Sequence, residues 1–330
     1  MDQFRTPVRV QPGAPISHAT KLFTTGSCFA DLLGAKLRES RFHAAINPFG
    51  VSYNPISIHK SMSMALNKER PAPELYAQSE GSFRHMDFHS TFRAKTLNLL
   101  ASVLQQSLSD AAAQLHEANA VVMTYGTSWV YKHKTSGKPV NNCQKLPANE
   151  FDRYLLDPSD VVASFESLYK LIKGSSPSTR FILTVSPVRH LKDSLDMNQL
   201  SKAGLIIACH RIVQKLKDVD YFPAYEIMID DLRDYRFYEP DMIHPSSVAV
   251  DYIWEKFGQR YFNADTASIA SKCQELSRAL AHRPFDPTSN EHTAFLVRTL
   301  ALAKDLQGKA AVADDVLALE KMLAGQGQLS

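Results

Sequence analysis

Between residues 21 and 37 the chain changes its hydrophobic rhythm within a single step. Leu22, Phe23, Thr24 and Thr25 form a short β-prone run that stops at Gly26, and Phe29, Leu32, Leu33 and Leu37 then recur at the spacing of one helix face. The pattern predicts a strand over 21–25 that turns directly into a helix. Continuous apolar runs at 118–126 ("ANAVVMTYG") and 179–187 ("TRFILTVSP") read as strands buried on both faces. The stretch 219–230 ("VDYFPAYEIMID") reads as a strand broken at Pro223 and resumed through Ile229, and 43–50 ("HAAINPFG") as a shorter one. Helical patterns fill the intervals at 97–117, 161–173, 199–218 and 248–257. Strands that alternate with helices predict βαβ units, and so an α/β fold with a doubly wound parallel sheet between two helical layers.

Two long connections interrupt the alternation, at about 51–94 and 129–157, where insertions in α/β domains commonly form lids or binding walls. After Asn263 the β signal ends. The chain is therefore expected to hold one domain over 1–263 and a helical C-terminal extension over 264–330, a surface for docking on the core, for self-association or for a partner. The 330 residues are 44% hydrophobic and 22% charged, a globular balance, and a formal net charge of +3 gives no nucleic-acid footprint. No 18-residue apolar run predicts a membrane span, and "MDQFRTPVRVQPGAP" lacks a signal-peptide core, so a cytoplasmic location is expected. Cys28, Cys143, Cys209 and Cys273 are scattered without a CxxC pair, which predicts free thiols.

The chemistry concentrates at strand ends. Ser27 lies between the end of the first strand and the start of a helix, where open α/β sheets bind ligands and free N–H groups face anions. By itself it is an ordinary N-cap serine. In "EPDMIHPSS", Asp241 and His244 are three residues apart on a turn that opens the next helix. At that spacing a carboxylate can fix the imidazole tautomer and leave the other ring nitrogen free to take a proton from a serine. Cys28 is the rival nucleophile, although one residue further into the helix its side chain is expected to face the sheet. In "FRHMDFHSTF", His85, Asp87 and His89 share one side if the stretch is extended, an arrangement that would suit either a metal or a polar wall, and the wall is preferred. Arg189 and His190 fall after the fourth strand, where Arg189 would hold a substrate carboxylate or phosphate, or else form a loop salt bridge. Trp129 and Tyr131 suit a pocket wall, while Tyr252, Trp254 and Phe257 suit the core.

A serine after the first strand and a DxxH after the last resemble the SGNH (GDSL-like) hydrolases. More narrowly, "GSCFA" (26–30), "NPFGVSYNP", "YGTSWVY", "NCQK", "TVSPVRH" and "DMIHPS" resemble the GSCFA family over roughly residues 20–260. The resemblance implies a flavodoxin-like three-layer sheet and Ser27, His244 and Asp241 as nucleophile, base and orienter. It also implies an oxyanion hole from the Ser27 and Gly50 N–H groups, with His89 lining the pocket. The asparagine that the wider group carries two residues after the third-strand glycine is replaced here by Ser128, which leaves Ser128 or Asn142 as the third donor. The expected reaction is hydrolysis of a small-molecule or glycan acyl ester through an acyl-serine, with no metal or cofactor. An acyltransferase on the same triad and a non-catalytic binding module are the alternatives.

Overall fold

A computed structural model of the chain describes residues 6–326; residues 1–5 of the N-terminal segment and 327–330 of the C-terminal extension lie outside it. Five parallel strands form the central sheet: β1 (Leu22–Gly26), β2 (Ala44–Ile46), β6 (Ala120–Tyr125), β10 (Arg180–Val185) and β11 (Val219–Phe222), in the order β11-β10-β6-β1-β2. Pairing is in register along the middle of the sheet, with Phe23 opposite Val121 and Val121 opposite Phe181. The order reverses between β1 and β6. In open α/β sheets ligands bind in the crevice at such a reversal, outside the carboxyl ends of the strands.

Alternation along each strand builds two cores. Phe23, Val121, Met123, Phe181 and Leu183 face α2 (Pro55–Leu66), α3 (Leu97–Glu117), α4 (Pro158–Ser175) and α5 (Leu195–Lys215). Leu22, Val122, Ile182 and Phe222 face α1 (Cys28–Glu39) and α7 (Ser247–Tyr261). The α/β sandwich with helices on both faces is thus as expected, and 97–117 is helical to the residue.

Two expectations fail. The stretch after Pro223 does not resume as a strand. It forms a short helix, α6 (Ala224–Glu226), continued as a π-helical turn over Ile227–Asp231, whose Ile227 and Met228 are buried beside α7. A short apolar run can bury itself equally well in either form, and Pro223, which cannot donate to a ladder, ends the strand. The 51–94 connection is also only partly an insertion. Its first third is α2, capped by Asn54 with Pro55 in the first turn, and its Ile58 and Met62 are fully buried in the core.

What remains of that connection is an antiparallel sheet of β3 (Tyr76–Ser79), β4 (Ser82–His85) and β5 (Arg93–Ala94). The second connection forms another, with β7 (Trp129–His133) between β8 (Pro139–Val140) and β9 (Phe151–Leu155). The two connections pack on each other through Leu75, Ala77, Met86, Val140 and Phe151. Gln144 ties them further by donating Nε2 to His85 O (2.9 Å) and Phe88 O (2.8 Å).

The C-terminal region is α8 (Ala264–Ala281), α9 (Asn290–Leu306) and α10 (Ala313–Gln326), with a core of its own that includes Cys273, Leu296 and Leu306. It grips the C-terminal end of α1. Arg41 donates Nε and Nη2 to the Asp315 carboxylate (2.7 and 3.0 Å) and Nη1 to Ser277 Oγ (2.8 Å), which in turn donates to Glu39 O (2.8 Å). Among the described residues no helix is long and apolar enough to cross a membrane.

Candidate active site

The turn between β1 and α1 is fixed by backbone geometry. Gly26 has φ +140°, and a Cβ there would lie 2.1 Å from Thr124 O, so the position admits only glycine. Its N–H donates to Asn47 Oδ1 (2.8 Å), and Asn47 Nδ2 donates to Asp31 Oδ1 (2.6 Å), which ties the turn to β2 and to the first turn of α1. Ser27 then caps α1, its Oγ accepting the Phe29 N–H at 3.3 Å. An acceptor role leaves the hydroxyl proton available. Ser27 is only 1% exposed.

On the far side of the edge, Asp241 organises its own turn. One carboxylate oxygen accepts the N–H groups of Ile243 (2.8 Å) and His244 (3.0 Å), and the other accepts from His244 Nδ1 at 2.6 Å. Those bonds, the imidazole first, hold the carboxyl down at about 2. Both side chains remain partly exposed. Tautomer and ring direction are therefore set locally, within four residues, as a DxxH turn allows.

Between these two turns lies a cavity of about 270 Å³. His244, Cys28, Tyr53, Trp129, Tyr131, Arg189 and His190 line it, together with Asn54, Asn141, Arg153, Lys192 and Asp193. Ser27 stands immediately behind this lining: its Cβ lies 3.1 Å, and His190 Nε2 3.4 Å, from where a Cβ on Gly126 would sit. A larger cleft of about 940 Å³ lies between α7 and α8 and has no histidine in its wall.

Several expected residues are spent elsewhere. The Ser27 N–H donates to Thr124 O (3.0 Å) as a continuation of the β1–β6 ladder, and the Gly50 N–H closes a turn onto Asn47 O (2.7 Å). Glycine at 50 is explained by φ +73° and by His89, whose Cβ would be 2.4 Å from a Cβ there. His89 packs on that turn and bonds Thr91 Oγ1 (3.1 Å) outside the cavity lining. Ser128 Oγ donates to Ser201 O (2.7 Å), buried beneath the loop. Asn142 Oδ1 accepts the Gln144 N–H (2.8 Å), and it is the neighbouring Asn141 that reaches the cavity. As the chain is arranged here, none of the four groups expected to form the oxyanion hole points a free donor into the cavity.

The cysteine rival also changes. Cys28 lines the cavity rather than facing the sheet, with its Sγ 3.7 Å from Tyr53 Oη. Burial, and to a smaller degree Asp31, push its thiol above the ordinary value despite the helix N-terminus, which leaves little thiolate at neutral pH. β4 stops at His85, so His85, Asp87 and His89 do not share one side. His85 bonds Ala72 O, Asp87 pairs with Lys60 at 2.6 Å, and among the described residues no group of three metal-ligating side chains converges. Trp254 and Phe257 lie in the core, while Tyr252, partly buried, donates to Asp231 Oδ2 (2.8 Å).

Residues that pattern reading missed complete the site. Lys202 is 1% exposed and donates Nζ to Gly126 O (2.6 Å) and Ser186 O (2.7 Å), clamping the ends of β6 and β10. Burial pulls its ammonium down to about 7. His190, expected at this edge from the sequence, is lowered to about 3, first by burial and then by the charges of Lys202 and Arg153. Arg153 stacks on Trp129 (4.2 Å) and pairs with Asp193.

The "GSCFA" and "DMIHPS" stretches that supply Ser27, Asp241 and His244 fall inside a match to the family model described as "GSCFA family", over residues 21–257. The chain belongs to the GSCFA family. The C-terminal helices match a second model, "GSCFA domain protein, C-terminal domain", over residues 273–325. A search of curated proteins returned no match.

Proposed function

We propose that this GSCFA protein is an SGNH-type serine esterase that hydrolyses a small acyl ester. The observation that carries the reading is the Asp241–His244 contact of 2.6 Å, held by two backbone N–H groups, with His244 in the lining of a cavity whose Tyr53 and His190 border Ser27 beside Gly126. In this reading His244 Nε2 accepts the Ser27 hydroxyl proton as Oγ bonds to the acyl carbon. The tetrahedral intermediate then collapses: the ester C–O bond breaks and the alkoxide leaves with the proton from the imidazolium. Water, deprotonated by the same imidazole, attacks the acyl carbon; the bond from that carbon to Ser27 Oγ then breaks, Oγ takes the proton back from the imidazolium, and the acid leaves.

With the Ser27 and Gly50 N–H groups and the Ser128 hydroxyl engaged elsewhere, and Asn142 outside the cavity lining, the oxyanion is assigned to Asn141. Its Nδ2 makes only a long bond to Val51 O (3.4 Å), while its Oδ1 is held by Ser52 Oγ (2.8 Å), so the amide is oriented but its donor is weakly committed. Serine is preferred to Cys28 because the thiol is shifted away from ionisation.

Labelling with a fluorophosphonate and mapping the modified peptide tests the reading. The adduct is expected on Ser27, with loss of aryl acetate hydrolysis in step with labelling. An adduct on Cys28, or none on folded protein, overturns it.

A further inference from the structure

The cavity wall is electrically unbalanced. Three cations line it, Arg153, Arg189 and Lys192, against the single carboxylate Asp193, which Arg153 already takes; Asp241, just outside, is committed to His244. Among the described residues neither Arg189 nor Lys192 forms an ion pair. Each is instead held in place by aromatic rings, which fix a cation without neutralising it. The Arg189 guanidinium lies 3.9 Å from the Tyr238 ring and 5.1 Å from that of Tyr235, and its only polar side-chain bond is a long one from Nη1 to Met242 O (3.4 Å). Its backbone N–H is fixed to Ile243 O (3.1 Å), beside His244. Lys192 Nζ lies 5.8 Å from the Tyr131 ring centre and donates to its Oη at 3.3 Å. Most of the guanidinium's donors are thus unspent, on a residue that lines the same cavity as the imidazole of the proposed dyad.

We infer that this cavity binds an oxyanion, a carboxylate or a phosphate monoester carried by the substrate, between Arg189 and Lys192. The proposed esterase reading is what makes the ligand an ester; the anion subsite itself stands on the geometry of the wall. Two fixed cations without counter-ions favour an anion over its neutral isostere, and a planar guanidinium suits a bidentate oxyanion. The 270 Å³ volume lies just below the range usual for drug-sized ligands and suits a compact molecule.

The test separates binding from turnover. Benzoate, phenyl phosphate and neutral benzamide are titrated into the full chain by calorimetry. At least one anion is expected to bind about tenfold or more tightly than benzamide, and the tighter one names the anion. Lys192→Gln, on an exposed turn, and Arg189→Gln are each expected to weaken that anion about tenfold and leave benzamide unchanged, with Arg189→Lys intermediate. Equal affinity for benzamide and both anions, no measurable binding of any of the three, or wild-type anion affinity in Lys192→Gln with an unchanged melting temperature overturns the inference. Turnover of 4-acetoxybenzoate and 4-acetoxybenzamide distinguishes the two readings. Anion binding without hydrolysis of either ester removes the esterase and keeps the subsite. Equal KM for both esters removes the subsite and keeps the esterase.

Discussion

The two ends of the proposed catalytic line are built in opposite ways. The Ser27 end is buried and dictated by backbone: Gly26 pressed on Thr124, Asn47 bonded across two elements, the serine hydroxyl in a cap. The Asp241–His244 end is a self-contained turn, partly in solvent, held by its own carboxylate. A change at the first end should therefore be felt by the whole fold, while a change at the second should be felt by chemistry alone.

The comparison breaks most visibly at His244. His244→Ala should lower ester turnover by about three to four orders of magnitude, with an unchanged urea midpoint, because the lost ring is neither core nor cap. Near-wild-type rates would shift the base to His190, whose Nε2, like the Ser27 Cβ, borders the space beside Gly126. At the other end Gly26→Ala should cost roughly 4 kcal/mol of stability in urea unfolding, since a methyl group cannot share space with a carbonyl at 2.1 Å. Folded, soluble protein with wild-type stability would show that the turn is not held as described.

Asn141 sharpens the contrast at the chemical step. Asn141→Ala should reduce kcat about a hundredfold with little change in KM, and Asn142→Ala and Ser128→Ala should spare kcat, because only Asn141 reaches the cavity. The smallest effect is a pH slope. Lys202 titrates near 7 in the fold against an ordinary value of 10.5, so between those values the unfolded chain binds more protons and stability rises with pH, being lowest below 7. From pH 7 to 9 that gain should approach about 2 kcal/mol in denaturant melts, and Lys202→Met should remove it. An identical slope in the variant would place the charge elsewhere.

Much of the frame was readable because it rests on local rules. Continuous apolar runs gave the strands, Gly26 gave the junction, and a DxxH before Pro245 gave a turn that fixes its own imidazole. The failures share a cause. Whether "EIMID" is strand or helix depends on what packs over it, and whether Asn141 or Asn142 faces the cavity depends on how two distant hairpins meet. Lys202, in the middle of a helix, reads as a solvent-facing lysine until β6 and β10 are seen to end above it. The cap signal of α2, Asn54 followed by Pro55, was present in the letters and was outweighed by the length of the connection around it.

The small core shared by the two hairpin sheets has a consequence for how such a protein can change. Trp129, Tyr131 and Arg153 belong to a wall that is anchored in the main core through Val130, Leu156 and Phe88 and carries beside it a small core of its own, Leu75, Ala77, Met86, Val140 and Phe151. Mutations at the outward-facing wall positions can therefore reshape what the cavity accepts, in charge, breadth or depth, and leave both the anchors in the main core and the smaller core in place. The turns bearing Ser27 and Asp241 stay where the sheet puts them. A lineage that inherits this division can try new ligands without first having to refold its chemistry.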